Sequence, residues 1–211
     1  RFGVNQRNTL ISKGEDVDLL LMSATPIPRT LALSIYGDLD VSSLTTYPGQ
    51  KHQVVTRVVD YDSDNILSLI NYCLENNRQV FIVCPKINLG DDHQSSEEVY
   101  QKFEPIFKDR IALLHGKLPN EDKVNILEQF KSNQINIIVS TTIVELGIDI
   151  KSAGGMIIYN ANSFGLASLH QLRGRVGRDG QKAYCLLVDH FDEDEDSSRL
   201  KFLENCSDGF E

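Results

Sequence analysis

Short apolar runs rich in β-branched residues recur along this chain, and most are followed by a segment whose apolar residues repeat at helical spacing. Val80-Phe81-Ile82-Val83-Cys84 is the densest of them. Successive side chains of a strand point to opposite faces, so an unbroken apolar run implies a strand covered on both sides, as in a parallel sheet between helices. Strand-like runs stand near 17–22, 41–46, 54–60, 79–84, 111–114, 136–140, 155–160 and 183–188. Helical patterns lie between them at 63–76, 95–107 and 119–132, the last with Val124, Leu127 and Phe130 on one face. The repetition predicts an α/β fold with a mostly parallel sheet flanked by helices. Sheets of this kind hold ligands at the carboxyl ends of their strands. At 211 residues and 41% hydrophobic, the chain can bury a full core, as one domain or one and part of a second. Pro48-Gly49 marks a boundary near Tyr47 to Gln53.

Chemistry concentrates in Gln171-Leu172-Arg173-Gly174-Arg175-Val176-Gly177-Arg178. Leu169, Leu172 and Val176 form one stripe of a short helix, while Gln171, Arg175 and Arg178 share another at i, i+4 and i+7. Planar, permanently charged guanidinium groups suit bidentate capture of phosphate oxygens. Gly174 and Gly177 each cost a helix about 1 kcal/mol, which suggests close approach of another backbone or of a nucleotide. A basic, solvated helix is the plainer alternative.

This segment resembles motif VI of the superfamily 2 helicases, Q-x-x-G-R-x-x-R, met by Gln171, Gly174, Arg175 and Arg178. The resemblance implies a RecA-like helicase C-terminal domain, with Arg175 and Arg178 as finger residues reaching a γ-phosphate held by a neighbouring domain, and Gln171 orienting them. Ser23-Ala24-Thr25 resembles motif III and gives Ser23 and Thr25 a coupling role; ending a strand and starting a helix is their structural alternative. Val139-Ser140-Thr141-Thr142, continuing to Ile150, resembles motif V. It makes Thr141 and Thr142 candidates for DNA phosphates, with Gly147 beside the nucleotide and Asp149 accepting from a ribose hydroxyl or acting as a turn residue. Val80 to Pro85 looks like motif IV, and His115-Gly116-Lys117 like a further DNA-backbone loop in which His115 is either a contact or a structural residue.

Within the superfamily the details resemble RecG-type bacterial DNA helicases more than the related Mfd translocases. Gln6-Arg7, Tyr47-Pro48-Gly49-Gln50-Lys51 and His170 before Gln171 favour RecG. Two departures stand out: Tyr159 where an acidic residue is expected, and Asp179-Gly180-Gln181-Lys182 where a small, polar stretch is usual. The resemblance implies ATP and Mg²⁺ as cofactors of a full-length parent that remodels replication forks and Holliday junctions in recombination and repair. Neither a Walker A loop nor an acidic Mg²⁺ box is found; the Gly116-Lys117 pair is followed by Leu118. The chain is therefore expected to be a C-terminal motor fragment, inactive alone. Residues 1–47 would be a remnant of the first RecA-like domain and 48–211 the second, without the wedge domain that engages branched DNA. An Mfd-like translocase and a non-catalytic helicase-like docking module are the alternatives.

The remaining composition narrows the setting. No apolar run is long enough to span a membrane and no signal peptide is evident, so a bacterial cytoplasmic protein is expected, with no membrane partner. Cys73, Cys84, Cys185 and Cys206 lack metal-like spacing, sit mostly in apolar contexts and read as reduced core thiols; no metal site is expected. Net charge is −9, with an acidic stretch from Asp189 to Asp196 that reads as a solvated loop. Any grip on DNA must then come from a local patch and backbone N–H groups.

Overall fold

The computed structural model describes residues 20, 22, 42, 53–85, 95–141, 150, 152–189 and 195–205. Within them six strands form one sheet: β1 (Val54–Val59), β2 (Gln79–Val83), β3 (Ile111–Leu114), β4 (Ile137–Ser140), β5 (Ala153–Tyr159) and β6 (Ala183–Val188). Their order is β1-β6-β5-β2-β4-β3, and every pairing is parallel. Five helices connect or follow them: α1 (Asp64–Glu75), α2 (Ser96–Phe107), α3 (Asn120–Lys131), α4 (Leu166–Arg173) and α5 (Glu195–Asn205).

Strand alternation divides the core in two. Phe81 and Val83 of β2 join Ile138, Met156, Ile158, Cys185 and Leu187 on one face, under Phe130 of α3, Leu169 and Leu172 of α4, and Leu200 and Leu203 of α5. Val80 and Ile82 point the other way, with Val139, Ile157 and Tyr159, under α1 and α2. Ile66, Leu69, Ile70 and Cys73 are the buried stripe of α1, at the i, i+3, i+4, i+7 spacing of a helix face. Both helices of that layer begin on a serine cap: Ser63 accepts from Asn65 N, and Ser95 closes a capping box with Glu98. Each fully buried Ile or Phe stabilises the fold by about 1.5–3 kcal/mol, so a sheet covered on both faces is the dominant favourable contribution.

The six strand readings from residue 54 onward and all three helix readings hold to within two residues. Several details differ. Val124 is 54% exposed, so of the three residues read as one apolar face of α3 Phe130 is buried in the core and Leu127, half-buried, packs against it. Leu20 and Met22, from the run read as a buried strand, are 80% and 87% exposed and lie outside the six-stranded sheet. The acidic stretch is not a single loop either: Asp189 accepts from Asn162 N at 2.6 Å, and Glu195 opens α5. Among the described residues no helix is long and apolar enough to cross a membrane.

Candidate nucleotide and nucleic-acid site

At the carboxyl end of the sheet, β3 and β4 run in register with Leu114 opposite Ser140. His115 and Thr141, one residue beyond each, are therefore brought side by side by the ladder. Both are half-buried. The turn after His115 is closed by Leu118 N donating to His115 O at 3.2 Å, and Lys123 of α3 donates its Nζ to Gly116 O at 2.8 Å. A Cβ built on Gly116 would meet open space, so packing imposes no glycine there. Thr142, Gly147 and Asp149 lie outside the described residues, as do Ser23 and Thr25.

The arginine segment lies at the other end. Helix α4 stops at Arg173, and Gly174 caps it with its N–H on His170 O at 3.0 Å. Arg175 and Arg178 are consequently not on a helical face with Gln171. They occupy a turn that leads into the amino end of β6. Helical bonding gives way there to i to i−3 turn bonds, Arg175 N on Leu172 O at 3.0 Å and Val176 N on Arg173 O at 3.4 Å, and Gly177, at φ +74°, then turns the chain towards the sheet. Its N–H then donates to Ala153 O, the first residue of β5, at 2.9 Å, and a Cβ there would stand 3.0 Å from Ala183 Cβ. The carboxyl-end location expected of ligand sites in such sheets does not hold for this segment: helix α4 carries the chain back across the sheet before the arginines appear.

The apolar stripe nevertheless holds, since Leu169, Leu172 and Val176 are each 1% exposed. They pin the turn from below. Arg175 is half-buried, and its side chain has no hydrogen-bond partner among the described residues. Arg178 is also half-buried and donates from Nε to Gly174 O at 3.1 Å. Gly174 has φ −69°, and a Cβ would touch only His170 O at 3.5 Å and Gln171 O at 3.6 Å. Nothing in the fold demands glycine at 174, which leaves space on that side of the turn.

The third arginine of the segment has a different use. Arg173 is buried; its Nη1 donates to Leu203 O at 3.2 Å and its Nη2 contacts His170 Nδ1 at 2.9 Å, tying α4 to α5. Arg78 was not singled out by sequence, although it is 4% exposed and reaches Asp179 in the arginine turn. A single arginine before an apolar strand carries no periodic signal. Tyr159, which replaces an expected acid, is fully buried with its ring 6.0 Å from that of Tyr61, and burial pushes its hydroxyl pKa up. It is a core residue. Cys73, Cys84 and Cys185 are buried free thiols, as read from their apolar contexts, while Cys206 lies outside the described residues.

Comparison with known proteins agrees with this architecture. The helicase conserved C-terminal domain matches residues 54–180, from the first residue of β1 to the arginine turn. The ATP-dependent DNA helicase RecG of Bacillus subtilis (strain 168) is 41% identical across the whole chain, and that of Staphylococcus aureus (strain NCTC 8325 / PS 47) is 39% identical. The chain spans about a third of these curated relatives, 32% of each. Among solved structures, RecG bound to a three-way DNA junction superposes with a TM-score of 0.77 at 42% identity, over 94% of this chain and 26% of that one. Dbp5 of S. cerevisiae bound to RNA and ADP BeF3 shares the fold, with a TM-score of 0.68 at 18% identity over 95% of this chain and 52% of that one. With its parallel six-stranded sheet and a family match over more than half its length, the chain belongs to the helicase conserved C-terminal domain family.

Proposed function

We propose that residues 48–211 are the second motor domain, and residues 1–47 the end of the first, of an ATP-dependent DNA helicase of RecG type. The full-length protein would remodel forks and Holliday junctions in recombination and repair, in the bacterial cytoplasm. The carrying observation is the fixed arginine turn, set in a chain 41% identical throughout to a RecG helicase. Branched DNA as substrate is supported by a relative, 42% identical, solved on a three-way junction.

On this proposal ATP and Mg²⁺ are held chiefly by the first motor domain. The residues of this chain suit one part of the nucleotide site. Arg175 offers a guanidinium with no hydrogen-bond partner among the described residues, and Arg178 stands three positions on. When bound, ATP supplies the phosphoryl group whose hydrolysis drives the cycle. Arg175 and Arg178 meet the charge on its phosphates as the two domains close, with Gln171 orienting them and Gly174 leaving room. Gly147 and Asp149 complete the nucleotide side. Thr141, His115 and Gly116, at the far end of the sheet, grip DNA phosphates together with Thr142 without reading sequence, and Ser23 and Thr25 have a coupling role. A net charge of −9 requires such a grip to be local. Without the first domain's phosphate loop the isolated chain is inactive.

DNA-stimulated ATPase of the full-length protein on forked and linear duplex tests this, with Arg178→Ala alongside. Fork stimulation that falls by about 10³-fold or more in the variant is expected. Wild-type turnover in Arg178→Ala would sink the assignment of Arg178. Equal activity on both DNAs would point to an Mfd-like translocase, and an inactive parent to a docking module.

A further inference from the structure

We propose that Arg78 is a positioning residue for the arginine turn, acting through an ion pair between its buried guanidinium and Asp179. The inference rests on the motor reading given above, in which Arg178 meets the nucleotide.

Arg78 stands between α1 and β2. Its backbone is fixed by Asn77, in the left-handed region at φ 53°, and by its own N–H on Cys73 O at 2.7 Å. The side chain then runs along the amino end of the sheet. Nη2 donates to both oxygens of Asp179, at 3.0 and 3.1 Å, and Nη1 donates to Lys182 O at 2.6 Å. One guanidinium thereby holds both ends of the segment 179–182, which joins Arg178 to β6. The guanidinium is enclosed and the carboxylate only partly so, with side-chain exposures of 5% for Arg78 and 21% for Asp179. Gly154 makes the enclosure possible, since a Cβ there would come within 2.8 Å of Arg78 Nε. That Nε is buried without a partner among the described residues.

The surrounding segment is otherwise open to solvent: Gly180, Gln181 and Lys182 are exposed. As a source of stability such a pair contributes little, because solvent screens the Asp179 side and dehydration of Arg78 offsets the rest of the attraction. What the guanidinium supplies is a fixed geometry, since Nη2 on Asp179 and Nη1 on Lys182 O hold the segment at two points with one planar group. Displacements of about 1 Å at a catalytic group cost on the order of 10²-fold in rate. The acid at 179 is also where this sequence leaves the small, polar pattern expected after Arg178. The ion pair accounts for that departure.

The test uses the full-length protein carrying this chain. Arg78→Met with Asp179→Asn removes both charges together and so leaves no unpaired buried ion. Expected is a variant with near wild-type melting temperature, DNA affinity and KM for ATP, but with kcat lower by roughly tenfold or more. Asp179→Asn alone should lower kcat in the same direction, and Asp179→Glu should recover part of it. Wild-type kcat in the folded double variant, with Arg178→Ala inactive, overturns the positioning role and leaves the motor reading standing. Wild-type turnover in Arg178→Ala overturns both. If the double variant does not fold, Asp179→Asn decides by the same readouts, and an unchanged kcat there overturns the proposal.

Discussion

The two ends of this sheet are built on different terms. At the carboxyl end His115 and Thr141 are neighbours only because β3 and β4 run in register, and the loop between His115 and α3 is closed by one turn bond and an exposed lysine. At the amino end the segment 174–182 is pinned by a left-handed glycine, a bond to the first residue of β5, three buried apolar side chains and an ion pair to the buried Arg78. On the proposed motor reading, the first kind of support suits a group that holds and releases a polymer, and the second a group that meets a phosphate at one position.

The largest effect on stability should come from Gly177→Ala. A left-handed conformation costs an L-residue about 1–2 kcal/mol, and the new Cβ would also press on Ala183 at 3.0 Å, so urea unfolding should show a loss of roughly 2 kcal/mol. An unchanged midpoint would mean that the amino end is softer than its contacts imply.

Alkaline pH should separate the two ends next. Burial pushes the Cys84 thiol, at the carboxyl end of β2, up to about 12, and the Cys73 thiol, near the amino end, only to about 11 because Arg78 offsets part of the effect. A raised folded pKa means stability is complete below the ordinary thiol range and is lost as pH climbs from about 9 towards those values. Stability should therefore fall between about pH 9 and 11, with alkylation of Cys73 preceding that of Cys84. Simultaneous modification would refute the ordering.

Smaller changes belong to the carboxyl end. In the full-length protein Thr141→Ala removes one hydroxyl donor, so DNA affinity should drop about tenfold or less while KM for ATP stays fixed. A shift in KM instead would place Thr141 with the nucleotide. Gly116→Ala should be nearly silent in melting temperature, since its Cβ meets nothing; a large loss would show that this loop is packed after all.

Much of the fold was legible because burial on both faces leaves a direct mark: Val80 to Cys84 could be little else than an interior strand. The arginine turn was only half legible. Leu169, Leu172 and Val176 announced which side is buried, yet the same spacing suggested a helix several residues too long, because apolar periodicity does not register the cap at Gly174 or the left-handed Gly177. Nor does it say which end of a sheet a returning helix reaches. The Arg78–Asp179 pair left no signal, since contacts between residues 101 positions apart depend on topology alone.

The pairing of β1 with β6 carries a mechanical consequence. The chain arriving at Gln53 enters an edge strand whose six residues lie parallel to β6, and Ala183 N donates to Gln53 O at 2.9 Å, just beyond the arginine turn. Tension applied along that incoming chain loads the ladder in shear, where its bonds resist together, instead of opening one after another like a zip. A pull delivered at residue 53 would thus be felt across the full length of the very strand that the arginine turn feeds.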